Sequence, residues 1–209
     1  MRIYFIRHGK SVLNESGIHQ GPETPLSAVG KEQASYVARR LKHVVFEQII
    51  SSDMDRAKET AEIIHRETGV PLEITPLARE RNLPKEFHGK PHDDPTLAAA
   101  KAEIEKNIRN PDFRHSDEET FFDLKDRAKK LVTFLEGRKE KAVVVVLHGT
   151  ILRYVLATMA YGDDLDWDRY IGLAKLLQLN NTGITVCEQQ EGRWKLITWN
   201  DHAHLGEVN

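Results

Sequence analysis

Apolar residues follow two patterns along the chain, short continuous runs and stripes with a helical period. The runs "IYFI" (3–6), "EQIISS" (47–52), "AVVVVL" (142–147) and, more weakly, "LEIT" (72–75) predict strands. The run at 142–147 is almost entirely β-branched, which predicts a central strand covered on both faces. Near the end of the chain, two further extended segments flank Glu191-Gly192 and predict a hairpin.

Helical stripes lie between these runs. Ala34, Val37, Ala38 and Leu41, spaced i, i+3, i+4, i+7, share one helix face. These residues predict a helix at 27–43, and similar spacing predicts helices at 53–68, 116–137 and 148–162, with a shorter helical patch near 97–108. Ser52 is the expected N-cap of the second helix. Ser116-x-x-Glu119 has the pattern of a capping box for the third.

Alternating strands and helices predict an α/β fold. We expect a three-layer sandwich in which helices flank a mostly parallel central sheet. The segment 82–118 differs, because it is rich in proline and charge and has little periodicity. We interpret it as a lid of helix and loop inserted into a single domain that spans 1–209.

Two strands end in the same dipeptide. Residues 2–6 lead into Arg7-His8-Gly9, and residues 142–147 lead into His148-Gly149. Functional sites in such sheets lie beyond the carboxyl ends of the strands, so the two imidazoles are expected side by side. Arg56, in the first turn of its helix, is expected beside them.

This arrangement suggests phosphoryl transfer. Two guanidinium groups converging on one point favour a bound phosphate dianion, since their planar donors match its oxygens. A neutral imidazole could attack phosphorus and form a phosphohistidine, while the other imidazole stabilises the oxygens. Glu80 is the candidate that protonates the leaving oxygen. The cations already neutralise the phosphoryl group, so neither a metal nor another cofactor is expected.

Composition limits the other classes of function. The formal net charge of −2 gives no strong field to attract nucleic acid or a membrane surface. Cys187 is the single cysteine, so no internal disulfide can form, and a reducing compartment is expected. The opening "MRIYFIRHG" lacks the pattern of a signal peptide. We therefore expect a cytoplasmic protein.

The motifs together resemble the histidine phosphatase superfamily, also called the phosphoglycerate mutase-like family. The resemblance begins with "FIRHGKSVLN" (5–14) and covers nearly the whole chain. The other matching segments are "TPLSAVGKEQA" (24–34), "SSDMDRAKETA" (51–61), "PLARERN" (76–82), "VVLHGTILR" (145–153), "NNTGITV" (180–186) and "WNDHAHL" (199–205).

The resemblance implies a role for each matching residue. His8 is the phosphorylated nucleophile, and Glu80 is the general acid that later activates water. Arg7, Arg56 and His148 form the phosphate pocket. The resemblance also implies that the phosphate is contacted by Asn14, Gly149 and Thr150. It implies that the rim of the substrate site is formed by Gly21, Lys85 and His88.

Some positions depart from the family pattern. Lys10 stands where Glu is frequent, and Phe87-His88-Gly89 stands where Trp-Glu-Gly is common. These departures fall on the rim and the lid, so they weaken inferences about the substrate rather than about phosphoryl handling.

Three functions remain open. A phosphatase acting on a small phosphorylated metabolite is favoured, with a cofactor-dependent phosphoglycerate mutase as the alternative. The third is a non-catalytic binding or regulatory module, although such relatives typically lose the nucleophile or an arginine. The identity of the substrate and the oligomeric state, including a homodimer, also remain open.

Overall fold

The computed structural model describes residues 1–14 and 16–206. Its central sheet has six strands in the order β3-β2-β4-β1-β5-β6. Their bounds are β1 Arg2–Arg7, β2 Gln48–Ser51, β3 Leu72–Ile74, β4 Ala142–Leu147, β5 Ile184–Gln190 and β6 Arg193–Asp201. Strands β1 to β4 pair with one another in parallel, whereas β5 runs antiparallel to β1 and β6 antiparallel to β5. The sheet is therefore mixed, with the predicted hairpin at one edge.

In the described residues, six α-helices accompany the sheet. They are α1 Ala28–Leu41, α2 Asp55–Thr68, α3 Ala98–Lys106, α4 Phe121–Glu136, α5 Gly149–Tyr161 and α6 Trp167–Leu176. One hydrophobic cluster joins α1 and α2 to one face of the sheet, and a second joins α4, α5 and α6 to the other face. The predicted three-layer α/β sandwich is confirmed. Within the described part of the chain, no helix has the length and apolar character needed to cross a membrane.

The central strand β4 links the two cores. Val143 and Val145 point into the cluster with α4 and α5, while Val144 and Val146 point into the cluster with α1 and α2. All four side chains are fully buried. Alternation of side chains across a strand therefore explains why an unbroken valine run suits a sheet covered on both faces.

Two predictions about helix starts are wrong. The capping box of α4 is Thr120 with Asp123, not Ser116 with Glu119, because the helix begins only at Phe121. The N-cap of α2 is Met54, which has no side-chain capping bond. Ser52 instead accepts a hydrogen bond from the Met54 N–H and contacts a histidine of the site described below. Helix α6 was not predicted from the sequence, and its one buried residue is Tyr170.

The segment 82–118 contains α3 and two short 3₁₀ turns, Lys85–Phe87 and Pro95–Leu97. None of the residues of α3 is fully buried. His115 ties this segment together, since its two ring nitrogens lie 2.9 Å from a Glu103 oxygen and 3.0 Å from a Glu86 oxygen. Its interpretation as a lid remains a prediction.

Two glycines let the end of β1 approach the start of α1. A Cβ atom on Gly9 would lie 2.4 Å from the Gly30 carbonyl oxygen, and one on Gly30 would lie 1.9 Å from the Lys10 carbonyl oxygen. Both obstructing atoms belong to the backbone and cannot rotate away. Glycine is therefore required at both positions for the loop after β1 to pack against the start of α1.

We predict that Gly30→Ala destabilises the protein by about 3 kcal/mol, because the added methyl group overpacks against backbone. Gly172→Ala in α6 is the control, since its methyl group meets no atom within 4 Å. We expect this control to gain up to about 1 kcal/mol from helix propensity. Urea denaturation measures both, and equal stability of the two variants would contradict the proposed close approach.

Candidate active site

The ends of β1 and β4 bring two distant histidines together. Parallel pairing sets Arg7 opposite Leu147, and the His8 N–H donates to the Leu147 carbonyl at 3.0 Å. The next residue after each strand is a histidine, and the ring centroids of His8 and His148 lie 4.9 Å apart. Both histidines are buried. The structure thus shows the predicted juxtaposition.

Two arginines lie around these rings. Arg7 ends β1, and its Nη1 donates to the Leu179 carbonyl at 2.6 Å. Arg56 lies in the first turn of α2, and its Nη1 donates to the Gly21 carbonyl at 3.0 Å. Arg56 is almost fully buried. Two carbonyl oxygens therefore orient the guanidinium groups without neutralising their charge.

Each residue of the predicted phosphate pocket carries a buried nitrogen that lacks a hydrogen-bond partner among the described residues. These atoms are Nε of Arg7, Nε of Arg56 and Nδ1 of His148. Only two other buried side-chain atoms in the described residues share this state. Buried donors are nearly always satisfied in native proteins, so this concentration at one place indicates a binding site for an acceptor-rich group.

Burial and positive charge determine the protonation of both rings. Burial is the largest cause that lowers the pKa of His8 and of His148 well below the usual histidine value, and Arg56 and Arg7 lower both further. Burial also lowers the pKa of Arg56 to about 10, against the opposing effect of Glu80. At neutral pH the arginines are therefore charged and the two imidazoles neutral.

Local hydrogen bonds orient each imidazole. His8 Nδ1 lies 2.7 Å from the carbonyl oxygen of Gly9, which can only accept, so Nδ1 carries the proton. The lone pair of His8 is then on Nε2, the atom available for nucleophilic attack. His148 Nε2 lies 2.9 Å from the hydroxyl of Ser52. The sequence analysis gave Ser52 only a capping role and missed this contact.

Glu80 lies at the N-terminus of α5. Its carboxylate accepts from the backbone N–H groups of Thr150 at 3.0 Å, Ile151 at 3.1 Å and Arg81 at 2.9 Å. The first N–H groups of a helix need acceptors, and His148, the N-cap, does not provide one with its side chain. Thr150, predicted to contact phosphate through its backbone, therefore donates to Glu80 in this structure.

Arg127 of α4 holds the backbone that carries Glu80. Its guanidinium donates to the carbonyls of Leu77 at 3.0 Å, Arg79 at 2.7 Å and Glu80 at 3.2 Å. It also donates to both carboxylate oxygens of Glu119, at 2.6 and 2.7 Å. The sequence analysis missed Arg127 because it falls at an ordinary polar position of an amphipathic helix.

The turn before β5 supports the end of β1. The Asn181 side chain donates to the His8 carbonyl at 2.8 Å, and the Thr182 N–H donates to the Arg7 carbonyl at 2.8 Å. Burial lowers the pKa of Arg7, Glu80 opposes this effect, and a third arginine, Arg153, lowers the pKa further. These residues lie within motifs that the sequence analysis quoted, but their contacts required the structure.

The remaining predicted residues have mixed placements. Asn14 Oδ1 accepts from the Ser11 N–H, so this side chain closes a local turn. His88 lies beside Gly21, with its Nδ1 3.7 Å from the position that a Cβ on Gly21 would occupy. Lys85 points to solvent, with 84% of its side chain exposed, and pairs with Asp117.

Gly149 begins α5 between the arginines. A Cβ at this position would lie 3.8 Å from Arg7 Nε, the unpartnered atom described above. This is an ordinary van der Waals distance, so Gly149 is not clearing space that a methyl group would block. Across residues 1–14 and 16–206, no group of three or more His, Cys, Asp or Glu side chains is placed to hold a metal ion.

This chain belongs to the histidine phosphatase superfamily (branch 1), whose family model matches residues 3–202. The prediction made from the motifs is thereby confirmed, as is the predicted enzyme class, a phosphatase of this superfamily.

The relatives of this chain are named after two different activities, mutase and phosphatase. The chain is 30% identical to "Probable phosphoglycerate mutase GpmB" of Citrobacter koseri, with 98% of this chain and 95% of the relative covered. It is 31% identical, at the same coverage, to a protein of Schizosaccharomyces pombe named as a probable phosphatase. Among solved structures, a mycobacterial glucosyl-3-phosphoglycerate phosphatase superimposes with a TM-score of 0.77 at 25% identity, covering 96% of this chain and 99% of that one.

We predict that the rings of His8 and His148 stay neutral at pH 6, because burial and the arginines oppose the imidazolium form. Nitrogen-15 NMR of labelled histidine measures this, and His148→Gln assigns the signals. Inorganic phosphate should raise the pKa of His148, since a nearby dianion favours the charged ring. Imidazolium shifts for His8 at pH 7 without phosphate would contradict the prediction.

Proposed function

We propose that this protein is a metal-independent phosphomonoester hydrolase that acts on a small phosphorylated metabolite through a phosphohistidine at His8. The observation that carries the proposal is the set of buried, unpartnered nitrogens on Arg7, Arg56 and His148 around a neutral His8. Guanidinium and imidazole donors suit the oxygens of a phosphoryl group. The cations provide the charge neutralisation that a metal ion supplies in other phosphatases.

The first chemical step transfers the phosphoryl group. His8 Nε2 attacks phosphorus, and the bond from phosphorus to the ester oxygen breaks. The leaving oxygen takes a proton from the carboxylic acid form of Glu80, which becomes a carboxylate. Arg7, Arg56 and His148 hold the three equatorial oxygens, where negative charge is spread in the transition state.

The second step releases phosphate. The Glu80 carboxylate removes a proton from water, the water oxygen attacks phosphorus, and the N–P bond to His8 breaks. This step returns His8 to its neutral form and Glu80 to its protonated form. In the structure Glu80 accepts from the N-terminus of α5, so its proton transfer requires the carboxyl group to exchange those N–H contacts for the substrate.

We predict that the protein releases inorganic phosphate from several monoesters and that His8→Ala abolishes this release. The exposed His43 provides a matched control, and His43→Ala should retain full activity. A phosphate-release assay over a panel of monoesters measures both variants. Full activity of His8→Ala would refute the proposed nucleophile.

The alternative is a phosphoglycerate mutase, which the names of several relatives favour. A mutase shares the phosphoenzyme but returns the phosphoryl group to a bound intermediate. Hydrolysis of unrelated monoesters without 2,3-bisphosphoglycerate supports the phosphatase. Isomerisation of phosphoglycerate that depends on this bisphosphate, with negligible phosphate release, would support the mutase.

Arg127 allows a test of Glu80 positioning. Arg127→Met combined with Glu119→Gln removes the clamp without leaving a half-buried carboxylate that has lost its cation. We expect kcat to fall at least tenfold on alkyl phosphates, whose leaving oxygen needs a proton. The effect on p-nitrophenyl phosphate, whose leaving group needs no proton, should be much smaller. An equal loss on both substrates would indicate a general structural defect instead.

A further inference from the structure

Besides the candidate active site, the structure has a cavity of about 350 Å³ between the segment 82–108 and the start of α6. This volume is typical of sites for small molecules. Most of its wall is apolar. The apolar lining residues are Leu83, Pro84, Phe87, Ile104, Ile108 and Trp167.

Helix α3 and the turn that follows it form one wall of this cavity. Lys101, Ile104 and Glu105 line it from one face of α3, and Ile108 lines it from the turn after the helix. No residue of α3 is fully buried. The position of this helix is therefore better explained by the wall it forms than by a contribution to the core.

The cavity borders the candidate active site through two chain segments. Arg81, one lining residue, directly follows Glu80. His19, another, lies two residues before Gly21, whose carbonyl holds Arg56. Two residues of extended chain span about 7 Å at most. The cavity wall therefore adjoins the two chain segments that carry Glu80 and the Gly21 carbonyl.

The two cationic residues on the wall have other partners. Arg81 Nε donates to the Glu119 carbonyl, and Lys101 Nζ donates to the His92 carbonyl. Burial is the largest cause that lowers the pKa of His19 to about 4, so this ring is neutral at physiological pH. The wall also includes Glu105, and Nε2 of His19 lacks a hydrogen-bond partner among the described residues. The rest of the cavity surface is mainly apolar.

We propose that this cavity binds the leaving group of the substrate and selects monoesters of apolar alcohols over esters of sugars or glycerate. The inference rests on the proposed phosphatase function and specifies its substrate class. Selectivity arises because each apolar group transferred from water into the cavity contributes hydrophobic free energy.

The test uses straight-chain alkyl phosphates from ethyl to hexyl, whose leaving groups have nearly equal acidity. We expect kcat/KM to rise with length, by up to about fourfold for each fully buried methylene. Glycerol phosphate should react more slowly than propyl phosphate. Calorimetry measures the affinity of the matching alkylphosphonates, which cannot be hydrolysed. Their affinity should increase with chain length by a similar factor for each methylene.

Two variants locate the effect. Ile104→Asn and Ile108→Asn should each reduce the increase in kcat/KM per methylene to about twofold or less. Leu176→Asn is the matched control, because Leu176 is 79% exposed on α6. This control should keep the full dependence on chain length.

The outcomes separate the two proposals. Hydrolysis of all esters with no increase along the series, together with phosphonate affinities that do not depend on length, overturns the apolar site and leaves the phosphatase function intact. Phosphonate affinities that rise with length, without hydrolysis of any ester, support the site and overturn the function. An unchanged chain-length dependence in both isoleucine variants would also overturn the assignment of this cavity.

Discussion

The site depends on keeping positive and ionisable groups close together in a buried place without a full set of counter-charges. Desolvation and mutual repulsion both disfavour charge here, which is why the pKa values of His8, His148 and Arg56 are lowered. The N-termini of α2 and α5 add positive potential at the same edge. Such an arrangement costs stability in the free protein, and a bound dianion relieves that cost. The same desolvation and repulsion keep the His8 ring neutral beside the charged arginines.

The fold maintains this arrangement through strand pairing and close backbone packing. Adjacent parallel strands place His8 and His148 side by side, because each follows the last residue of its strand. The contact between Gly9 and Gly30 brings the loop after β1 against α1, and Asn181 supports it from the other side. Arg127 gives the segment carrying Glu80 comparable support. The proposed catalytic groups therefore lie on four separate parts of the chain that only the folded sheet assembles.

Much of this arrangement was predictable from the sequence. The two His-Gly strand ends carried a local signal, since parallel strands share one functional edge, and the valine run identified the central strand. The start of α4 was misplaced because Ser116 and Thr120 are both followed three residues later by an acidic residue, and only packing selects between them. Helix α6 was missed because it buries little besides Tyr170, which weakens its periodicity. Arg127 and Ser52 carried no sequence signal for their site contacts, because those contacts join residues about 50 and 100 positions apart.

The most direct measurement of the central claim is a crystal structure with tungstate, a tetrahedral dianion of the same charge as phosphate. The account predicts tungstate bonded to Arg7 Nε, Arg56 Nε and His148 Nδ1, with His8 Nε2 facing the metal centre of the anion in line with one oxygen. Tungstate bound elsewhere, with these nitrogens still lacking partners at saturating concentration, would contradict it.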